Sequence, residues 1–596
     1  MLEHVNKELV PMKAHYFLYN AATGPIVPFL PTIAKQLGFS SSLVGTIYTI
    51  LPISGLIAKP LFGGLADKFR LHKTIFLIFQ VILAIGFFTI NFIPEIESSA
   101  EVTFTCDRGI SFIEVCSTKG FSPKITYDAL NSITLYSNCQ LSCNITNNTY
   151  NESCSKPNAT QFCQLIRTNV IEGTTFNFTV GFNMYQNLPT GNCVNVRVLN
   201  MTFSESVVHA PACSFNLRTS CMASCRNNPI MNHLLEEVRN GRNVSQTSTY
   251  QFHLFLWAAI VSWVGMAVVV SIADAICCAL LDFRILGDEN RKDYGKQKMW
   301  GSIGFGIFGI SAGYLIDVFS RGQSQKDYTC IFYIMLIAMI LDIIVSFTIK
   351  KKNIEYSKGD PSVLWELLSV GKEGRVLVFG WWCIGAGMCT GVVWNFLFWY
   401  TEDIATHSEA AWIKTVQGLL TGVQCFLGEL PFNFISGAVL RKLGHVNVMS
   451  FVLLIYAARF MAYSMVRNLW VFLPLEILHG PTLGLCWPTM VSYADKVAPS
   501  GMRATMQGFV GAVFEGVGVS AGSLLCGWLM NVYGGVVTFR IFSIGALIWL
   551  AIYWILQLLL QKAKASPIHQ GHNHLASYAT PDDAILLTMN QELQTY

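Results

Sequence analysis

Charge is what this sequence lacks. Only 13% of its 596 residues are Asp, Glu, Lys or Arg, about half the share of an ordinary soluble chain. So few charges cannot cover the surface of a soluble body this large, and a disordered chain would need low hydrophobicity with high charge instead. No excess of one sign exists either. Forty basic against 36 acidic residues leave a net charge of +4, which excludes a general basic field for nucleic acid. Enzyme-like strings fail on context. Gly304-Phe-Gly306-Ile-Phe-Gly309 lies inside an apolar run with no strand before it, and Gly518-Val-Ser520-Ala-Gly522 lacks a strand-to-helix turn, so both read as helix packing. No enzyme, cofactor or metal is expected, and any active transport must draw on an ion gradient, with protons the expected driver.

What is present is apolar residue, 52% of the chain, in runs of the roughly 20 residues that cross a bilayer as helices. Twelve spans follow: 14–35, 42–63, 74–94, 252–281, 299–318, 329–349, 375–400, 412–436, 447–465, 470–493, 504–529 and 536–560. The first continues through Pro25, Pro28 and Pro31 and is expected to be retained rather than cleaved. The expected class is an all-α membrane protein of two six-helix halves with a large disulfide-rich extracellular insert. Residues 1–94 carry helices 1–3, 95–250 the glycosylated insert, 251–349 helices 4–6, 350–374 a cytoplasmic linker, 375–561 helices 7–12 and 562–596 a cytoplasmic tail.

Lys and Arg crowd the short segments on one side, as in Lys350-Lys351-Lys352, so the positive-inside rule places both termini in the cytoplasm. The insert then faces outward. Every Asn-x-Ser/Thr site of the chain lies there, at Asn144, Asn147, Asn151, Asn158, Asn177, Asn200 and Asn243. Ten of the 18 cysteines lie there too: Cys106, Cys116, Cys139, Cys143, Cys154, Cys163, Cys193, Cys213, Cys221 and Cys225. An even number in an oxidising compartment implies a disulfide framework of open connectivity. In the tail, Asp582 stands four residues before Leu586-Leu587, the spacing of an endocytic or endolysosomal sorting signal. The expected location is a plasma or endolysosomal membrane.

The halves repeat one local pattern. Gly63-Gly-Leu-Ala-Asp67-Lys68-Phe-Arg70 follows the second span, and Gly437-Ala-Val-Leu-Arg441-Lys442-Leu-Gly444 follows the eighth. At these residues the chain resembles the major facilitator superfamily, whose loop reads Gly-x-Leu-Ala-Asp-Arg-x-Gly-Arg; Lys68 replaces Arg, and Arg70-Leu71 departs from the Gly-Arg end. Tyr19-Asn20 to Pro28-Phe29-Leu30-Pro31, Trp300-Gly301, Gly428-Glu429-Leu-Pro431-Phe432, His445-Val-Asn447 and Phe514-Glu515-Gly516 narrow the resemblance to one branch of it. The resemblance implies a solute-carrier fold, a gating role for the loop residues, and a branch in which some relatives carry a receptor-type label.

Intramembrane charge points to the chemistry, because an ionised group near the bilayer centre is costly unless it faces protein or water. Proton-coupling candidates are Glu515 at mid-span, Glu476 and His479 three residues apart, Glu429 and Asp274, with Asp342 a further candidate. Cavity candidates are Tyr19, Asn20, Trp394, Asn395, Arg459 and Gln507, with Tyr16 and Trp399 read as interfacial belt or packing. Each has a purely structural alternative as packing, strut or ion pair. The leading reading is a monomeric proton-coupled transporter of a small polar or organic solute in the lipid bilayer; the alternative is a cell-surface receptor whose insert engages an extracellular protein.

Overall fold

The computed structural model describes residues 9–96, seven strands between 100 and 225, Leu235, Thr247, and residues 249–280, 287–321, 325–349, 373–406, 409–498 and 503–565. The linker at 350–372 and the sorting string Asp582, Leu586 and Leu587 lie outside them.

Among the described residues, eleven helices are long and apolar enough to cross a membrane. The first expected span is not one of them. It is divided into α1 (Val10–Thr23) and α2 (Leu30–Gln36), because Pro25 and Pro28 have no N–H to continue the ladder. Turn hydrogen bonds such as Val27 N to Thr23 O (2.9 Å) and Leu30 N to Ile26 O (2.9 Å) carry the chain across the break. Then come α3 (Ser41–Phe69), α4 (His72–Ile90), α5 (Tyr250–Leu280), α6 (Gly287–Phe319), α7 (Thr329–Thr348) and α8 (Gly374–Ile404). The last five are α9 (Ala410–Leu443), α10 (His445–Met465), α11 (Leu469–Val497), α12 (Met506–Tyr533) and α13 (Gly535–Ala565).

Three of these helices widen locally into π turns: Gln424–Glu429 in α9, Gly480–Gly484 in α11 and Ala512–Val519 in α12. Pro431 and Pro481 explain the first two, since each removes the N–H that would bond the carbonyl four residues back. Such bulges are frequent at functional sites, and these contain or adjoin Glu429, His479 and Glu515.

The insert corrects the all-α expectation. It carries seven antiparallel strands: β1 (Ala100–Cys106), β2 (Ser111–Cys116), β3 (Leu135–Cys143), β4 (Thr175–Phe182), β5 (Cys193–Phe203), β6 (Ser206–His209) and β7 (Leu217–Cys225). Their order is β2-β1-β7-β3-β4-β5-β6, and β2 also pairs with β5, so the pairings close into a six-membered ring with β6 appended. Alternate residues Val102 and Phe104, Ile113 and Val115, Val196 and Val198 are buried, the period of a strand with one covered face. Cys116 faces Cys193 and Cys143 faces Cys221 in register, and both pairs are disulfide-bonded.

Candidate functional site

The first seven helices meet the last six along two lines, α3 against α12 and α6 against α9. At one end both lines close backbone to backbone on glycine, which alone permits such approach. A Cβ on Gly45 would stand 2.7 Å from Ser523 O and 3.1 Å from Gly527 Cα. One on Gly418 would stand 2.8 Å from Gly309 O and 3.2 Å from Gly313 Cα. Charges lock the same end. Lys35 Nζ lies 3.2 Å from Glu402 and 2.7 Å from Asp403, and Lys414 also pairs with Glu402. Asp317, bonded to Lys326 at 2.6 Å, accepts from the Thr415 N–H at 2.6 Å and its hydroxyl at 2.8 Å. Further along the same lines nothing stands within 4 Å of a Cβ placed on Gly63, Gly64, Gly437, Gly508 or Gly511.

Midway, polar contacts cross each line; on the first, the Thr49 and Ser520 hydroxyls each donate to the other residue's carbonyl, at 3.2 and 3.0 Å. Glu515 does not sit alone in apolar surroundings as the sequence suggests: it is one-third exposed (34%) and pairs with Lys59 of α3 at 3.2 Å. Lys59 was missed because its span is otherwise apolar; a lysine beside Pro60 inside it was the available signal. On the other line Glu429 of α9 accepts a long hydrogen bond from Ser302 of α6 at 3.4 Å.

Behind Glu429 lies a sealed cluster. His479 Nε2 stands 3.5 Å from Glu429, and its Nδ1 stands 3.4 Å from Arg459 Nη1. Arg459, fully buried, donates to Thr482 at 2.9 Å and through Nε to Tyr463 at 2.5 Å, and it pairs with Glu476. Glu476 also accepts from Tyr463 and, at 2.6 Å, from Gln424. Glu476 and His479 are therefore joined through Arg459, which contacts both. Arg459 is thus buried and held by partners within this cluster.

In the first seven helices, Asp274 of α5 accepts from Tyr16 of α1 at 2.7 Å and pairs with Lys298 of α6 at 3.3 Å. Tyr16 is buried there, the packing side of its expected role. Deeper, His15, Gln80 and Asp342 converge from α1, α4 and α7; His15 and Gln80 escaped the sequence reading because their partner lies more than 260 residues away.

The remaining candidates scatter. Trp394 is exposed, and Asn395 is buried and donates to Ser523 at 2.8 Å. Asn20 donates to the Tyr16 carbonyl of its own helix at 2.8 Å. The Tyr19 hydroxyl reaches Met266 O at 3.5 Å, Gln507 donates to Asp495 at 2.6 Å, and Trp399 is buried beneath the Lys35 ammonium. Gly63 and Lys68 lie at the end of α3 and Gly437, Arg441 and Lys442 at the end of α10's predecessor α9. Asp67 lies on α3, and its side chain is outside the described set. Arg70 has φ +55° and Gly444 φ +76°; they occupy the same position of the two repeats. Asn177 and Asn200 lie on β4 and β5, whereas Asn144, Asn147, Asn151, Asn158, Asn243, Cys154, Cys163 and Cys213 fall outside the described residues. Cys106, Cys139 and Cys225 are on strands. Gly304 and Gly306 pack against Phe17 and Phe426, as helix packing requires.

Paired helical halves, with their polar side chains gathered on and behind the seam between them, define a polytopic membrane protein of transporter fold. The chain belongs to the MFS_1 like family, whose model matches residues 9–541. It is 23% identical over 582 residues to major facilitator superfamily domain-containing protein 6-like protein B of Xenopus laevis, covering 93% of this chain and 91% of that one. It is 24% identical over 278 residues to maltose permease of Geobacillus stearothermophilus, covering 45% and 64%. The nucleoside transporter NupG has the same fold, with TM-score 0.55 and 12% identity over 92% of this chain and 99% of that one.

Proposed function

We propose that the chain is a secondary-active transporter of a small polar organic solute, coupled to protons and working by alternating access between its two halves. The observation that carries this reading is the asymmetry of the seam. One end is closed by glycine contacts and ion pairs, a few polar contacts cross the middle, and the far end leaves its glycines uncovered. That is the geometry of one gate shut and the other open. With the amino terminus cytoplasmic, as the basic segments favour, the shut gate is the outer one. A rocking cycle would break the Lys35, Glu402, Asp317 and Thr415 contacts and close the region of Gly63 and Gly437. Maltose and nucleosides, the solutes named for similar proteins, are the first to try. Purified protein in liposomes carrying an inward proton gradient should accumulate at least one labelled solute of a sugar and nucleoside panel, and collapse of the gradient should abolish accumulation. Uptake that ignores the gradient would remove proton coupling; no uptake of any panel member would count against the solute class.

The ring of strands in the insert supports a second reading, that of a receptor or binding protein on a transporter fold. Removal of residues 100–245 separates the two: flux that persists favours the transporter, and loss of ligand binding without loss of flux favours a separate binding role.

A further inference from the structure

His15, Gln80, Asp342 and Ser346 form a cluster that no reading above uses. His15 and Asp342 are almost wholly buried, at 1% and 0% exposure, with His15 Nδ1 2.8 Å from Asp342 Oδ1. Gln80 Nε2 donates to the other carboxylate oxygen at 2.6 Å and to Ser346 Oγ at 3.0 Å, and it lies 3.5 Å from His15 Nδ1. Phe76, Tyr16 and Tyr19 surround the imidazole. Among the described residues no lysine or arginine pairs with either member. Through Tyr16 the cluster adjoins Asp274 of α5, a partly exposed carboxylate paired with Lys298 of α6.

Two observations make this more than a strut. First, without a proton the pair is a neutral imidazole beside a carboxylate, one uncompensated negative charge in a sealed site, which is costly. With one proton it is net neutral. Second, Gln80 Oε1 is buried without a partner. The amide gives its N–H to the Asp342 carboxyl and leaves its own carbonyl without a partner; a protonated Asp342 could donate O–H to that carbonyl once the amide turns, in exchange for the present N–H bonds to Asp342 and Ser346. The cluster thus has two hydrogen-bonding arrangements that differ by one proton.

Resting on the proton-coupled reading above, we infer that the His15–Asp342 pair is a proton-carrying site of the transport cycle, separate from Glu515, with Gln80 as the group that re-pairs on loading. The proton enters or leaves past Tyr16 and Asp274 when α1 and α7 part.

The test needs no substrate. Donor and acceptor fluorophores are placed through non-canonical residues at positions 64 and 437 of the full chain in lipid nanodiscs, and energy transfer is read between pH 8 and pH 5.5. The expected result is a pH-dependent change in the unsubstituted protein that is lost in both Asp342→Asn and His15→Gln while Glu515→Gln alters it without abolishing it. A structural pair would lower thermal stability yet leave the pH response in place, which overturns the proposal. If Asp342→Asn does not fold, His15→Gln decides alone. A response kept in both variants but lost in Glu515→Gln overturns the site and leaves proton coupling standing. No response in the unsubstituted protein overturns the site and proton coupling together, whereas transport itself is judged by the liposome uptake.

Discussion

A carboxylate that water reaches and one sealed from it answer differently to the same amide substitution. Glu515 and Lys59 are partly exposed, and a pair of that kind is worth about 0 to 1 kcal/mol. Glu515→Gln should therefore fold with near-normal thermal stability, lose pH-driven accumulation and retain exchange; full pH-driven uptake would refute a coupling role. Glu476 and Arg459 are fully buried, and removing one partner leaves the other uncompensated, at a cost of about 3 to 5 kcal/mol. Glu476→Gln should melt far earlier than Glu515→Gln in the same detergent, and equal melting points would contradict the assigned burial. Arg70 presents a third case. Its positive φ strains an L side chain by about 1 to 2 kcal/mol, and the equivalent position of the other repeat is glycine. Arg70→Gly should raise stability by about 0.5 to 1 kcal/mol after the added freedom of the unfolded chain is subtracted. A lowered melting point would mean that the guanidinium makes a contact worth more than the strain.

At the scale of helices, the shut gate depends on two glycine seams that have no room for a side chain. A Cβ on Gly313 would run into the Lys414 carbonyl and stand 2.9 Å from Gly418 Cα. Overpacking of this kind costs about 1 to 3 kcal/mol, so Gly313→Leu should shift the protein away from this arrangement. Cysteines introduced as Lys35→Cys and Asp403→Cys should cross-link under mild oxidation, and adding Gly313→Leu should cut the yield about tenfold. An unchanged yield would show that the seam does not hold the gate. The sequence made the glycines legible as packing residues but not their partners, because a seam is a relation between helices and single-chain periodicity reports only one side. The π turns were hidden for a related reason: proline marks where a ladder must fail but not whether the helix kinks, breaks or widens.

For the whole molecule, eleven of the twelve expected spans and the family were readable, because length and composition decide membrane crossing. The divided first helix was partly readable, in Pro25 and Pro28. Arg459 was identifiable as a buried arginine with Glu476 only 17 residues on, whereas His15 and Asp342 are 327 apart and carry no local signature. The strands of the insert were overlooked since cysteine counting speaks to cross-links and not to backbone form. Topology gives a direct test: glycosidase should increase gel mobility of protein from glycosylation-competent cells, and replacing all seven sequon asparagines should abolish the shift. An unshifted band would turn the insert to the other side of the membrane.

The insert leaves α4 and returns in α5, and these two helices are packed on each other, Gly86 against Ser262 and Gly265 against Leu83. Its first and last strands are also neighbours, with Ala100 opposite Ala223. A module tethered by two adjacent legs to a single half is a lever on one pivot. Both legs enter the first half, so tension or torque applied to the module is delivered there through α4 and α5.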